Sequence, residues 1–512
     1  MFKKRKNIIL IILGLFIVLF PIFYTNLKNK MNKNNEIVTY NIYSKPNTID
    51  PHQFRDMLAV QLMNTVYEGL LRQDENQNFI PALAKSFEEK SNILTFEIRE
   101  DAKYSDGTKV TIDDIINGFR RALNPKTAAR YSEMLFPIKN AKKYNKGEAT
   151  NDELGVQNVN GKLVITLEKP TPYFKYVLTL PISFPVKEKF VDDIEDYTKA
   201  LYNGPYIISS MNDDEIILTK NKYYWDNKNV QLNKVKFVAL SDSFVIENLI
   251  KNEELDITSV DPIDIETKKK NNELFSYSNG RIWYLEFNLA NEILNDKENR
   301  HIISESINRK KYIKDIREDD SIIAKSVISD LLGDYRKLHP DDTYLKDDIK
   351  SDKLKGKKIR LLTGNSTSEV KEANFLQEEL RIKLGLEVEV LTVTFKDRLA
   401  LTRSGDFDIV LNTYSPKHDD PLTILHRWYR PNKPSYNAWR KEEYINLIDK
   451  IENETDTKKR YEYINKAERI LVDDAIIAPL FYSVENWFIR KNLKNIIVHP
   501  ISNTMDIHKI KR

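Results

Sequence analysis

From Ile37 onward the chain alternates between short apolar runs and polar punctuation. Ile37-Val38-Thr39-Tyr40-Asn41-Ile42-Tyr43 reads as a strand, Met57–Leu71 carries helical spacing to a stop at Gly69-Leu70-Leu71, and Leu94–Ile98 alternates again. Ser105-Asp106-Gly107-Thr108 reads as a turn. Thr111-Ile112-Asp113-Asp114 resembles a capping box that opens a helix through Leu123, closed by Asn124-Pro125. Leu163–Leu167 is a further strand, and Pro170 and Pro172 bracket the turn after it. Downstream, Lys358–Leu362 predicts a strand, Ser366-Thr367-Ser368-Glu369 caps a long helix ending at Gly385, and Val388–Leu391 predicts a second strand. That spacing implies a parallel crossover. Helices around Tyr444–Glu452 and Thr457–Asp473 precede an apolar strand at Ala478–Tyr482. Such mixing predicts α/β lobes with inserted hairpins, and no internal repeat is visible.

One apolar run is of another kind. Lys3-Lys4-Arg5-Lys6 precedes a charge-free stretch from Ile8 to Leu27, and about 20 residues in a helix just cross a hydrocarbon core. The basic cluster should stay in the cytoplasm and place the remainder outside. A cleaved leader would end on small residues, whereas this run ends Leu19-Phe20-Pro21-Ile22-Phe23-Tyr24. The expectation is a cytoplasmic basic segment at 1–7, a transmembrane anchor or uncleaved signal at 8–27 and a linker at 28–35. Cleavage is the rival.

Composition removes several function classes. At 512 residues the chain exceeds what one core supports. It has 80 basic and 76 acidic residues, but six of the basic ones lie before position 31, so the body carries 74 against 76 and offers no basic groove for nucleic acid. With no cysteine there is no disulfide, thiolate chemistry or lipidated cysteine anchor. No two of the 14 glycines lie two apart, so GxGxxG is absent, and neither a Walker A loop nor a GxSxG elbow occurs. The seven histidines are scattered without an HExxH. His418-Asp419-Asp420 reads as a polar loop before Pro421 rather than a metal cluster, and Asp113-Asp114 and Asp473-Asp474 as helix faces rather than acid–base dyads. Nothing predicts catalysis, a metal or a cofactor.

Ordered motifs then carry a resemblance. Thr48-Ile49-Asp50-Pro51-His52, Tyr67-Glu68-Gly69-Leu70-Leu71, Pro81-Ala82-Leu83-Ala84-Lys85-Ser86-Phe87 and Tyr104–Asp114 follow one another, and Phe119–Ala128 completes the first set. Asn203-Gly204-Pro205-Tyr206, Asn221–Asp226, Trp283–Asn288, Asn295 to Arg309, Asp420-Pro421 and Ala478–Tyr482 continue it. The chain from about Glu36 to Arg512 resembles the oligopeptide-binding proteins of ABC importers (extracellular solute-binding proteins of the peptide and nickel type). The resemblance implies an α/β, two-lobed, periplasmic-binding-protein-like clamshell of class II with an extra inserted domain, preceded by one N-terminal transmembrane helix. Lobe I would comprise 36–80, 198–285 and 481–512, the inserted domain 81–197, and lobe II 286–480. It further implies a monomer on the extracytoplasmic face of the cell membrane. There it would bind a peptide or related small solute and deliver it to ABC permease subunits whose ATPase lies on the cytoplasmic side. A surface interaction or sensing protein that kept the fold without transport is the alternative, and a hydrolase the remoter one.

The resemblance also implies site residues. Glu68 would present a carboxylate to an extended peptide backbone, or be a helix-end acid, and Gly69 would let the chain turn close to ligand. Tyr284 would offer a hydroxyl or belong to the core, and Arg403, Ser415 and Tyr482 join the ligand-facing set. In the relatives, an aromatic after a strand like Asp408–Thr413 is followed three residues on by an aspartate that pairs with the peptide ammonium. Here Tyr414 supplies the aromatic, but Lys417 stands at the aspartate position. Either Asp419 takes over through a changed loop, or the ligand lacks a free amine there.

Overall fold

The computed structural model describes residues 37–46, 48–54, 57–187, 196–340, 346–431 and 436–512. The anchor expected at 8–27 and the linker at 28–35 lie outside them. Among the described residues no helix is long and apolar enough to cross a membrane.

In chain order the strands are β1 (Ile37–Asn41), a short hairpin β2 (Leu71–Gln73) and β3 (Phe79–Pro81), then β4 (Ala84–Lys90), β5 (Ile93–Ile98), β6 (Val156–Val159) and β7 (Lys162–Thr166). There follow β8 (Tyr206–Met211), β9 (Glu215–Lys220), β10 (Lys234–Val238), β11 (Ile257–Ser259), β12 (Leu274–Phe287) and β13 (Ile322–Ile323). The last are β14 (Lys358–Gly364), β15 (Glu387–Val393), β16 (Ile409–Tyr414) and β17 (Ile477–Ile489). Strands β4, β5, β7 and β6 form a separate antiparallel sheet, here called the small-sheet unit with the helices around it. The main sheet runs β15-β14-β16-β12-β17-β11-β1-β10-β9-β8, with β13 added to β17.

This order hides a repeat. In one half β1 is flanked by parallel β10 and β11; in the other β14 is flanked by parallel β15 and β16. Each set meets an antiparallel strand next, β17 beside β11 and β12 beside β16, and those two pair with each other. A helix links the outer parallel strands in both halves: Ser243–Lys251 between β10 and β11, and Phe395–Ser404 between β15 and β16. The sheet is thus two copies of one topology joined at β12–β17. The strand–helix–strand unit expected at 358–391 forms one crossover, its helix Thr367–Leu384 opened by Ser366 and closed by Gly385 in the left-handed conformation.

Between the halves, the β12–β17 ladder breaks. Leu274–Ser278 pairs with Val484–Phe488 and Ile282–Glu286 with Ile477–Tyr482, with an irregularity between Ser278 and Ile282. Gly280 sits in that break at φ +70°, a value side-chain-bearing residues rarely adopt. Direction follows from register. β11 runs opposite to the departing end of β17, so it heads toward the break, and β16 heads toward it from the other side. The C-terminal edges of both parallel sets therefore face the junction, where open α/β sheets bind ligand.

Polar ties fix the small-sheet unit to the first half. The Asp50 carboxylate accepts two bonds from Arg121, at 2.9 and 2.7 Å, both residues being buried, and His52 Nε2 lies 3.0 Å from the Phe184 carbonyl. The capping box forms as expected, Thr111 and Asp114 bonding each other's backbone amides. One expectation is corrected: the helix stops at Val66, not Gly69. Beyond it Asn203 brackets Glu68, accepting from its amide at 3.2 Å and donating to its carbonyl at 2.8 Å. Gly204 donates to the Val66 carbonyl at 2.9 Å. Tertiary bonds thus replace the next helical turn.

A Cβ on Gly204 would lie 2.6 Å from the Val66 carbonyl and 2.7 Å from the Tyr67 nitrogen, both backbone. Gly204→Ala should therefore destabilise the protein by about 1–3 kcal/mol or more, because the clashing atoms belong to a buried chain that cannot yield. A urea unfolding midpoint equal to that of the parent would contradict this.

Candidate functional site

A cavity of about 740 Å³ lies between the small-sheet unit and the second half of the main sheet. Glu133, Met134, Lys169 and Tyr173 contribute from the first; Tyr414, Lys417, His418, His426, Glu452 and Arg460 contribute from the second. It begins where β16 ends, at the C-terminal edge of the parallel set.

The loop after β16 is pinned residue by residue. The Lys417 amide donates to Thr423 Oγ1 at 3.0 Å, and Asp420 accepts from the Leu422 amide at 2.8 Å. Arg460 grips Asp420 with two bonds of 2.8 and 2.9 Å and donates from Nε to the Ile451 carbonyl at 3.2 Å. Burial alone would raise the Asp420 carboxyl; the guanidinium overrides it and holds the group below its ordinary value. Asp419 turns the other way, accepting from the Gly333 amide at 2.8 Å, and burial raises its carboxyl. The three consecutive polar side chains thus diverge: His418 stacks on Tyr173, Asp419 binds Gly333 and Asp420 binds Arg460. They form no common metal site.

Several charges on the cavity wall come in pairs. Lys417 Nζ lies 3.3 Å from Glu133 Oε1, both largely exposed. Lys169 reaches Glu452 at 2.6 Å and His426 reaches the same carboxylate at 2.9 Å; the His426 bond and the Lys169 ammonium hold Glu452 down at about 2. Lys417 is therefore not the lone cation that its position in the sequence suggests.

The other expected site residues are placed as follows. Glu68 and Gly69 line a smaller polar cavity of about 60 Å³. The Glu68 carboxylate accepts from Tyr224 Oη at 2.5 Å and Trp225 Nε1 at 2.6 Å, with Arg72 at 3.7 Å, and burial raises its pKa. What approaches Gly69 is protein: an added Cβ would meet the Leu178 carbonyl at 2.6 Å and the Phe184 ring at 2.7 Å. Tyr284 is fully buried against Trp428, its hydroxyl 3.4 Å from Arg427. Arg427 in turn lies over Tyr414 and pairs with the buried Glu286. Tyr482 is buried and donates to the carbonyls of Ser326 and Ile328. Ser415 accepts from Arg281 at 2.9 Å, and Arg403 is exposed at the end of helix Phe395–Ser404. Of the nine, Tyr414 and Lys417 line the larger cavity. Sequence reasoning did not select Glu133, Lys169, Tyr173 or Glu452. Pro170 and Pro172 marked the turn that presents Tyr173, but Lys169 and Glu452 stand 283 positions apart with no local signal.

Two lobes of matching topology, two strands crossing a broken ladder between them and a polar cavity at the facing strand edges define a hinged, clamshell-type binding protein. The chain belongs to the bacterial extracellular solute-binding proteins, family 5, whose middle region matches residues 78–436. It is 25% identical over 498 residues to the dipeptide-binding protein DppE of Bacillus subtilis, covering 92% of each chain. Among solved structures, the substrate-binding domain of an oligopeptide ABC transporter from Bacillus anthracis superposes with a TM-score of 0.73 at 26% identity, over 93% of this chain and 98% of that one. The unliganded open form of the periplasmic murein tripeptide binding protein MppA gives 0.77 at 23%, over 93% and 97%.

The Asp420–Arg460 tie should contribute stability fully above the ordinary aspartate pKa of about 4 and lose it as pH falls through the depressed folded value. Arg460→Leu, leaving a buried carboxylate unpaired, should cost about 3–5 kcal/mol at pH 7. It should also reverse the slope of stability with pH on the acid side. Urea titrations between pH 3 and 7 that superpose for parent and variant would contradict this.

Proposed function

We propose that this chain is the substrate-binding component of an ABC importer, taking a peptide or related small solute between its lobes outside the cell membrane and passing it to permease subunits powered by an ATPase on the cytoplasmic side. The observation that carries the reading is the cavity of about 740 Å³ beside the hinge, within the roughly 300–1,000 Å³ that ligand pockets span. The relatives support it: one is named for dipeptide binding, another is the substrate-binding domain of an oligopeptide ABC transporter. The lobes divide as 36–80, 198–285 and 481–512 against 286–480, with 81–197 inserted. The protein works as a monomer that performs no chemistry on its ligand.

In this reading Tyr414, Lys417 and Glu133 meet the ligand. An exposed ion pair is worth about 0–1 kcal/mol, so a ligand ion displaces either partner at small cost. A ligand carboxylate takes Lys417 and a ligand ammonium takes Glu133; zwitterionic peptides satisfy both. Glu68 and Gly69 serve instead to seat the small-sheet unit and the Tyr224-Trp225 pair.

The test is calorimetric titration with tri- to pentapeptides, free or N-acetylated. Lys417→Asp should strengthen binding of free-amine peptides and weaken that of acetylated ones, whereas Glu133→Gln should do the reverse, each by roughly tenfold. Unchanged affinities in both variants would remove this pair from the site, and no binding by the parent across the panel would remove peptides as the ligand class.

The segment 8–27 completes the proposal as a retained membrane anchor, on the strength of its length, its basic flank and its bulky end. Protein taken from native membranes should keep the chain's own N-terminus. A sequence starting after Tyr24 would overturn the anchor.

A further inference from the structure

The two most exposed large apolar side chains among the described residues are Phe244, at 77%, and Phe395, at 64%. The duplicated sheet puts them at equivalent places. Helix Ser243–Lys251 links β10 to β11, helix Phe395–Ser404 links β15 to β16, and each phenylalanine stands in the first turn of its helix. A side-chain cap fixes each turn: Asp242 accepts from the Val245 amide at 3.0 Å, and Thr394 from the Asp397 amide at 3.2 Å. Each ring is accompanied by a second exposed apolar side chain, Val245 at the next position and Leu399 one helical turn on. Single exposed apolar residues are ordinary; matched ones at equivalent places in both halves are not scatter.

Sheet order sets where these turns lie. β10 is third from β17 and β15 third from β12, so both helices start about 14 Å from the central pair. Both strands run parallel to their neighbours, so the helices begin on the edge that faces the junction. Points far from a hinge travel farthest, so lobe movement changes the spacing of the two patches more than spacings beside the break. Neither patch lines the large cavity. The chain between the anchor expected at 8–27 and β1, residues 28–36, reaches at most about 30 Å. The body therefore works close to the membrane, and a partner that covers both patches is itself held there.

We propose that the Phe244–Val245 and Phe395–Leu399 patches are paired docking points, one per lobe, for the extracytoplasmic loops of two permease subunits. The inference rests on the importer reading above and names the surface through which that importer engages this chain. β12 and β17 are equivalent strands paired antiparallel, so the two halves are related about a local two-fold axis. A pair of like permease subunits presents two like faces in the same arrangement, each taking one phenylalanine in an apolar socket. Aromatic rings bring large contact area with few rotatable bonds, which suits them as anchors. Because the spacing of the patches follows the lobes, sockets at a fixed separation engage both patches in one lobe arrangement only. Docking is thereby coupled to the state of the cavity without any contact to the ligand.

The test is uptake of radiolabelled tri- to pentapeptides by cells that lack their own copy of this chain and are supplied with parent or variant. Phe244→Ser and Phe395→Ser should each lower uptake by roughly tenfold or more. Calorimetry on the purified variants should show unchanged peptide affinity, which also confirms that the fold persists. Ile382→Ser and Leu338→Ser, at exposed apolar positions outside the patches, should transport like the parent. The photoreactive p-benzoylphenylalanine placed at position 244 or 395 should crosslink to a permease subunit, identified by mass spectrometry. Parental uptake in either phenylalanine variant, an equal loss in the two control variants, or crosslinks to lipid alone would each overturn the docking surface. A parent that imports none of the peptides would instead remove the importer reading, and this surface with it.

Discussion

Strands β12 and β17 run through both lobes as one antiparallel pair, and the local break in their ladder at Ser278–Ile282 governs how the rest can be arranged. A continuous ladder resists bending because each backbone donor and acceptor has its partner. Three residues without that pairing, one of them glycine at positive φ, concentrate the freedom in one place. Since β11 pairs with one end of β17 and β16 with the far end of β12, the parallel strands of both lobes must point toward the break. The cavity lies there because loops leaving those strand ends have nowhere else to converge. Helix and loop residues far apart in sequence meet across it.

Two kinds of charge pair serve this architecture differently. Asp50–Arg121 and Asp420–Arg460 are buried and doubly bonded, and removing one partner would leave a desolvated charge. They fix the orientation of the small-sheet unit and of the loop after β16. Asp256 does similar work at the far end, receiving both Arg490 and the C-terminal Arg512. On the cavity wall Lys417–Glu133 is exposed and singly held, so water and ions compete with it at small cost, whereas the half-buried Glu452 is held by both Lys169 and His426. Buried, doubly bonded ties thus set the units and the loop, and an exchangeable pair is left facing the cavity.

Much of the local structure was legible because it is decided by neighbours in sequence. The capping box at Thr111, the strand–helix–strand unit from Lys358, the Gly385 stop and the turn at Ser105–Thr108 each depend on residues three or four apart. The ordered motifs pointed to the family, and several also form tertiary joints. Asp50 of the first holds Arg121, Glu68 of the second holds Tyr224 and Trp225, and Asn203-Gly204 ends the helix at Val66. At position 417 the sequence showed a lysine but not its neighbour, because the carboxylate that meets Lys417 comes from Glu133, 284 residues earlier.

The sequence by itself determined the element types, the α/β class, the absence of cysteine chemistry and the family, all of which follow from composition, short-range periodicity and motif order. Tertiary structure alone decided the duplicated sheet topology, which leaves no trace as a sequence repeat because hydrogen-bonded order depends on backbone direction and not on side-chain identity. It also decided the wall of the cavity. Lys169 meets Glu452 and Tyr173 meets His418 only across the cavity, and no local pattern encodes a contact between side chains 283 or 245 positions apart, because it depends on how whole units pack against each other.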